Sequence, residues 1–200
     1  MELSRPTLPR ISLKQWSAAL AGFSAMLLLA ASGQAQDVWL SNGKDAPPDA
    51  ALASSGHFGI QQIMTLDSDG LIERWNQPGA GVMIDSSSTV ARNQPIFSYI
   101  IFTGCKADDA GKCNVTAIFK TFDPKGKPWG DQTEAPVWVG LPPPADRILQ
   151  LSASGLGVVV EDKDRLGEYR VTADVTDHVA GIMLHVEKRF TAVAAKTSGK

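Results

Sequence analysis

From Glu168 to Val175 the chain alternates. Tyr169, Val171, Ala173 and Val175 fall on one side, and Glu168, Arg170, Thr172 and Asp174 on the other. Alternation of period two over that length predicts a strand with one face in a core. After the turn His178-Val179-Ala180-Gly181, the residues Ile182, Leu184, Val186 and Phe190 predict the inner face of a closing strand. Ile96–Thr103 has a different pattern, with Phe97, Tyr99 and Ile101 on one face and Ile96, Ile100 and Phe102 on the other. A strand apolar on both sides is expected at the centre of a sheet and covered twice. Further strands are predicted at Phe58–Leu66, Asn114–Phe122 and Pro136–Gly140, and at Ile148–Ala153, where Leu149, Leu151 and Ala153 share a face, while Val158–Val160 leads into the alternating stretch. Val82-Met83-Ile84 predicts a short edge strand. With turn signals at short intervals and almost no helical periodicity, the fold class is all-β.

The punctuation between these runs is specific. Asp67-Ser68-Asp69-Gly70 predicts a plain turn. As a calcium loop it fails at both ends, since Thr65 and Asn76 stand where the first ligand and the bidentate Glu belong. Asp123-Pro124-Lys125-Gly126 is a turn by its Pro and Gly chemistry. Pro142-Pro143-Pro144 cannot occupy a central strand and predicts an extended connector between two sheets. Asp164-Arg165-Leu166-Gly167-Glu168-Tyr169 places a tyrosine just after a turn glycine at the start of a late strand. That is the pattern of a tyrosine corner, whose ring packs in the core while its hydroxyl bonds backbone a few residues upstream. Residues 36–57 are rich in Ala, Pro, Asp, Ser and Gly and predict an irregular arm or linker with Trp39 near its start, and residues 196–200 a frayed tail.

Residues 1–35 read as a targeting segment. Arg5, Arg10 and Lys14 precede the uncharged run Trp16–Ala31, and Gly33-Gln34-Ala35 offers a small-x-small cleavage site with Gln36 as the new first residue. Positive, apolar, small is the order of a secretory signal peptide. Expectation therefore points to a periplasmic or secreted protein that meets the membrane only transiently, an uncleaved anchor being the alternative. In that compartment Cys105 and Cys113, at the shoulders of a polar hairpin loop, predict a disulfide. The whole chain carries −2, of which the leader contributes +2, so residues 36–200 carry −4. This mild acidity disfavours nucleic acid as a partner.

Candidate chemistry is sparse. Gly79-Ala80-Gly81 lacks the rest of a nucleotide fingerprint, and neither a His-Glu-x-x-His pair nor a Gly-x-Ser-x-Gly elbow occurs. His57, His178 and His185 are scattered. They read as exposed or capping residues rather than as ligands for copper, which histidine and methionine can bind. Glu161, Asp162 and Asp164 read as a solvated acidic turn, and Asn114-Val115-Thr116 satisfies the short glycosylation pattern. No catalytic residue, metal site or cofactor is expected. Trp129 and Trp138 flank a turn-rich segment ahead of the prolines and are the candidate contacts for a protein partner, the alternative being rings that lid the core.

Phe102-Thr103-Gly104, the turn Asp123–Lys127 and the run Asp164–Ala173 together resemble bacterial extracytoplasmic immunoglobulin-like domains, and are similar to the macroglobulin-type domains of envelope proteins. The resemblance covers roughly 96–192 and rests mainly on the tyrosine pattern. It lacks the inter-sheet disulfide of antibody domains, because Val171 stands where the second cysteine would be. What it implies is an immunoglobulin-like antiparallel β-sandwich over residues 58–195 and an exported setting. No activity comes with such a fold. The expected role is non-catalytic binding of another envelope component, with a sandwich that binds a small molecule, metal or carbohydrate as the alternative.

Overall fold

A computed structural model describes residues 40–41, 44–45, 49–77 and 81–195. The predicted leader with its cleavage site, Trp39, residues 78–80 and the tail 196–200 lie outside the described residues. The elements in chain order are β1 (Leu40–Ser41), β2 (Lys44–Asp45), β3 (Leu52–Ser55), β4 (Phe58–Thr65), α1 (Ser68–Asn76), β5 (Thr89–Ala91) and β6 (Pro95–Thr103). They continue as β7 (Cys113–Phe122), β8 (Thr133–Leu141), β9 (Gln150–Leu151), β10 (Leu156–Val159), β11 (Gly167–Asp177) and β12 (Ile182–Val193). β1 and β2 form a short hairpin of their own. The rest build two five-stranded sheets. The first runs β10-β6-β4-β3, with β9 also paired to β6. The second runs β5-β12-β11-β7-β8. Pairings are antiparallel except for β5, which lies parallel to β12.

The alternation seen in the sequence supplies the core between the sheets. Phe58, Ile60, Met64, Ile100 and Phe102 of the first sheet pack with Val115, Phe119, Tyr169, Val171, Val186 and Phe190 of the second. Polar side chains sit among them as well, Ser98 fully buried beside Gln62. Gln62 is fully buried, and its Nε2 donates to Ser98 Oγ at 2.9 Å and, across the gap, to Val171 O at 3.4 Å. Backbone hydrogen bonds also run between the two sides, from Glu187 N of β12 to Ala50 O ahead of β3 and from Ala153 N after β9 to Val137 O of β8.

Several elements depart from expectation. Asp67-Ser68-Asp69-Gly70 begins the helix α1 instead of forming a plain turn: Asp67 is the N-cap and its Oδ1 accepts from Gly70 N at 2.9 Å. Only Leu71 of the helix is buried, so its sequence shows no apolar stripe. Leu71, with Trp75 and Ile84, covers Ile63, Tyr99 and Ile101 on the far face of the first sheet. This second layer is why β6 is apolar on both sides. Ser68 and Tyr99 tie helix to sheet through a 2.7 Å hydroxyl contact.

Val82-Met83-Ile84 is no strand. Residues 81–87 are irregular and meet the sheet through Ser87 N donating to Met64 O, while the strand that follows is β5. Leu52–Ser55, expected within an irregular arm, is the edge strand β3, joined to β4 by the two-residue turn Gly56-His57 with Gly56 at φ 60°. The strand expected over Ile148–Ala153 shrinks to Gln150–Leu151, with Leu149 and Ala153 exposed.

Candidate functional site

The corner before β11 is built from its own turn chemistry. Asp164 N donates to Glu161 O, and Glu161 N returns a bond to Asp164 Oδ2 at 2.8 Å. Arg92 Nη2 donates to Asp164 O at 2.6 Å. Gly167, at φ 131°, occupies backbone that side chains avoid, and Pro124 packs close to where a Cβ would sit. Two residues on, Tyr169 is fully buried and its Oη donates to Arg165 O at 2.7 Å. Burial, reinforced by the charges of Asp164 and Asp123, pushes the Tyr169 phenol above its ordinary value, so it stays a neutral donor. Its ring stacks on Phe190 at 5.3 Å and takes the edge of Trp129 at 5.5 Å. Trp129 Nε1 donates to Asp164 Oδ1 at 3.2 Å. Asp164, Gly167, Tyr169 and Trp129 therefore form one assembly. Trp129 packs half-buried against the core, with its polar edge bonded, and belongs to the lid of the sandwich.

Trp138 lies elsewhere. Between Val115 and Thr116 the β7–β8 register shifts, leaving Val137 as the extra residue of a bulge. The shift turns Trp138 to the side of Val115, where it tilts against Phe102 at 5.6 Å and donates from Nε1 to Pro142 O at 2.8 Å. A second shift places Gly140, at φ 69°, opposite the Cys113–Asn114 step. Val139, which faces outward beside Asn114, and Leu141, Ile148 and Leu149 are exposed, Ile148 by 53%. They come from the end of β8 and from the segment that the three prolines lead to β9. Cys113 pairs with Leu141 and is bonded to Cys105, so the disulfide closes the same end. Its loop is organised by Asp108 Oδ1, which accepts from Ala110 N and Lys112 N. Asp177, fully buried, holds this loop to the β11–β12 turn by accepting from Lys106 N, Val179 N and Ala180 N. Only its place at a strand end before a turn hinted at that role.

The outer face of the second sheet carries charge. Arg170 bridges to Glu187 and lies 4.1 Å over the Phe122 ring, while Arg189 contacts both Glu187 and Glu168. Asp174 lies between His185 (2.6 Å) and Lys120 (3.4 Å). The His185 hydrogen bond, with help from Lys120, holds the Asp174 carboxyl below its ordinary value. His178 Nε2 meets Thr116 Oγ1 at 2.9 Å, and the His57 carbonyl sits against Gly104. Each member of the acidic turn has a partner: Glu161 pairs with Lys163, Asp162 accepts from Asn93, and Asp164 is bonded as above. Shallow cavities of about 360 and 200 Å³ lie beside Asp67 and Asp85 and beside Lys120 and Asp131. Among the described residues no three or more His, Cys, Asp or Glu side chains converge as metal ligands, and no helix is long and apolar enough to cross a membrane.

No protein-family model and no curated protein matches the sequence. Among solved structures the chain is similar to a family 123 glycoside hydrolase from Clostridium perfringens, with 9% identity and a TM-score of 0.37. The match covers 68% of this chain and only 27% of that one. So low a score carries no argument.

Proposed function

We propose that this chain is an exported, non-catalytic immunoglobulin-like sandwich that docks on another component of the cell envelope through the end built around Trp138. The immunoglobulin-like reading draws support from three features: two five-stranded sheets packed around one core, the β5–β12 parallel pairing at one edge, and the Tyr169 hydroxyl bonded back to Arg165. Export is supported by the positive-apolar-small leader and by a disulfide, which persists in oxidising compartments.

The docking reading rests on one observation, the exposure of Leu141, Ile148 and Leu149 in the segments on either side of the proline connector that follows half-buried Trp138. Apolar side chains grouped on rigid, proline-braced backbone lose little entropy on association. The test is capture from solubilised envelope fractions by the immobilised mature chain. Leu141→Ser together with Ile148→Ser should abolish capture of the specific partner while leaving the urea midpoint nearly unchanged, since both side chains face water. Undiminished capture by that double variant would remove this end of the molecule from the interface.

A further inference from the structure

Strand β12 carries a thioether and an imidazole on the outer face of the second sheet. Met183 and His185 are two residues apart on β12 and so point the same way. Met183 is 68% exposed and the His185 side chain 58% exposed. Across the register, His185 faces Asp174, and its Nδ1 lies 2.6 Å from Asp174 Oδ1. The Asp174 contact occupies Nδ1, and Nε2 is the ring nitrogen on the far side from that carboxylate. A carboxylate behind an imidazole, fixing tautomer and ring orientation and raising the basicity of the far nitrogen, is the arrangement found behind metal-ligating histidines. Lys120 holds the other Asp174 oxygen at 3.4 Å, and Glu187, the next outward residue along β12, is engaged by Arg170 and Arg189. Neither neighbour competes for Nε2.

We propose that Met183 Sδ and His185 Nε2 form a surface site for monovalent copper, with Asp174 as the residue that orients the imidazole. Thioether sulfur is a soft ligand that suits monovalent copper and not calcium, and imidazole also binds copper. Two ligands suffice for a closed-shell ion that tolerates low coordination. Both cysteines are joined in the disulfide, so no thiolate of the chain competes for copper. The metal binds and leaves as copper(I), with no change of oxidation state and no bond made beyond the two coordinate bonds. This inference stands independently of the docking surface, which lies at Trp138.

The experiment is anaerobic titration of the full mature chain with copper(I) held by a chromophoric chelator. The wild type should withdraw one equivalent. Met183→Leu and His185→Ala should each weaken retention about tenfold or more, and Asp174→Asn should weaken it by about tenfold, the scale of a lost outer-shell partner. Met83→Leu and His178→Ala, changes to an exposed methionine and histidine outside the site, should leave it unchanged. In parallel, one equivalent of copper(I) should shift the Met183 methyl and His185 ring resonances, a readout that does not depend on any variant folding. No withdrawal by the wild type, equal retention by Met183→Leu and His185→Ala, or unmoved resonances would each overturn the site.

Discussion

Tyr169 is the residue whose two functions, filling and bonding, can be separated by substitution. Tyr169→Phe keeps the ring against Phe190 and Trp129 and removes only the donor to Arg165 O. Arg165 is exposed, so water can reach its carbonyl in the variant, and the cost is that of one neutral hydrogen bond, about 1 kcal/mol. Tyr169→Ala deletes a fully buried ring, for which cavity formation costs about 3–5 kcal/mol. The two aromatic pairings, each about 0.5–1.5 kcal/mol, place it toward the upper end of that range. With an m-value of about 2 kcal/mol/M, the urea midpoint should fall by about 0.5 M for Phe and by about 2 M for Ala. Intrinsic fluorescence is the natural assay because Trp129 lies edge-on to the ring. A gap of about 3 kcal/mol between the two variants is the signature of a buried ring with a bonded hydroxyl. Equal effects, or two effects near zero, would refute the assembly described for the corner before β11.

Gly104 sits at φ 72° with the His57 carbonyl oxygen where a Cβ would be, so Gly104→Ala should destabilise by about 3 kcal/mol or more in the same assay. Gly126→Ala, at φ 74° with open space around it, should cost only about 1–2 kcal/mol. Replacing both Cys105 and Cys113 by Ala releases a loop spanning a sequence separation of eight and should cost roughly 2–3 kcal/mol by chain entropy, seen also as a lowered midpoint of the wild type under reductant. Asp67, Asp123 and Asp174 are held below the ordinary range by hydrogen bonds from Gly70 N, Lys127 N and His185 respectively, and at Glu187 the Arg170 and Arg189 contacts outweigh burial. The unfolded chain therefore binds more protons than the native one in acid. Stability from these groups should be complete above about pH 5 and fall as pH drops through about 4 and below. Midpoints measured from pH 7 to pH 3 should show that slope, shallower in Asp174→Asn.

What the sequence determined by itself is what local spacing encodes. Two-residue alternation at Glu168–Val175 and Ile182–Phe190 follows from the pleat, which sends successive side chains to opposite faces whatever the strand pairs with. The double-sided apolar run at Ile96–Thr103 likewise announced a covered centre, and a cysteine pair across a polar loop announced its bond. Three prolines in a row required an extended crossing, and they do connect β8 of one sheet to β9 of the other.

Tertiary structure alone decided the rest, because it depends on partners far away in the chain. Helix α1 has one buried side chain, too few to mark a stripe, and its reason for existing is the sheet face it covers. β3 exists because β4 lies beside it, and Val82–Ile84 joins no strand ladder among the described residues. A single extra residue at Val137 reversed the side on which Trp138 falls, a consequence of the exact period of two. Trp129 joined Tyr169 and Asp164 through contacts spanning 35 or more residues. The placement of His185 opposite Asp174, with Met183 beside it, was set by the β11–β12 register, which the hairpin turn and the buried faces of both strands fix together.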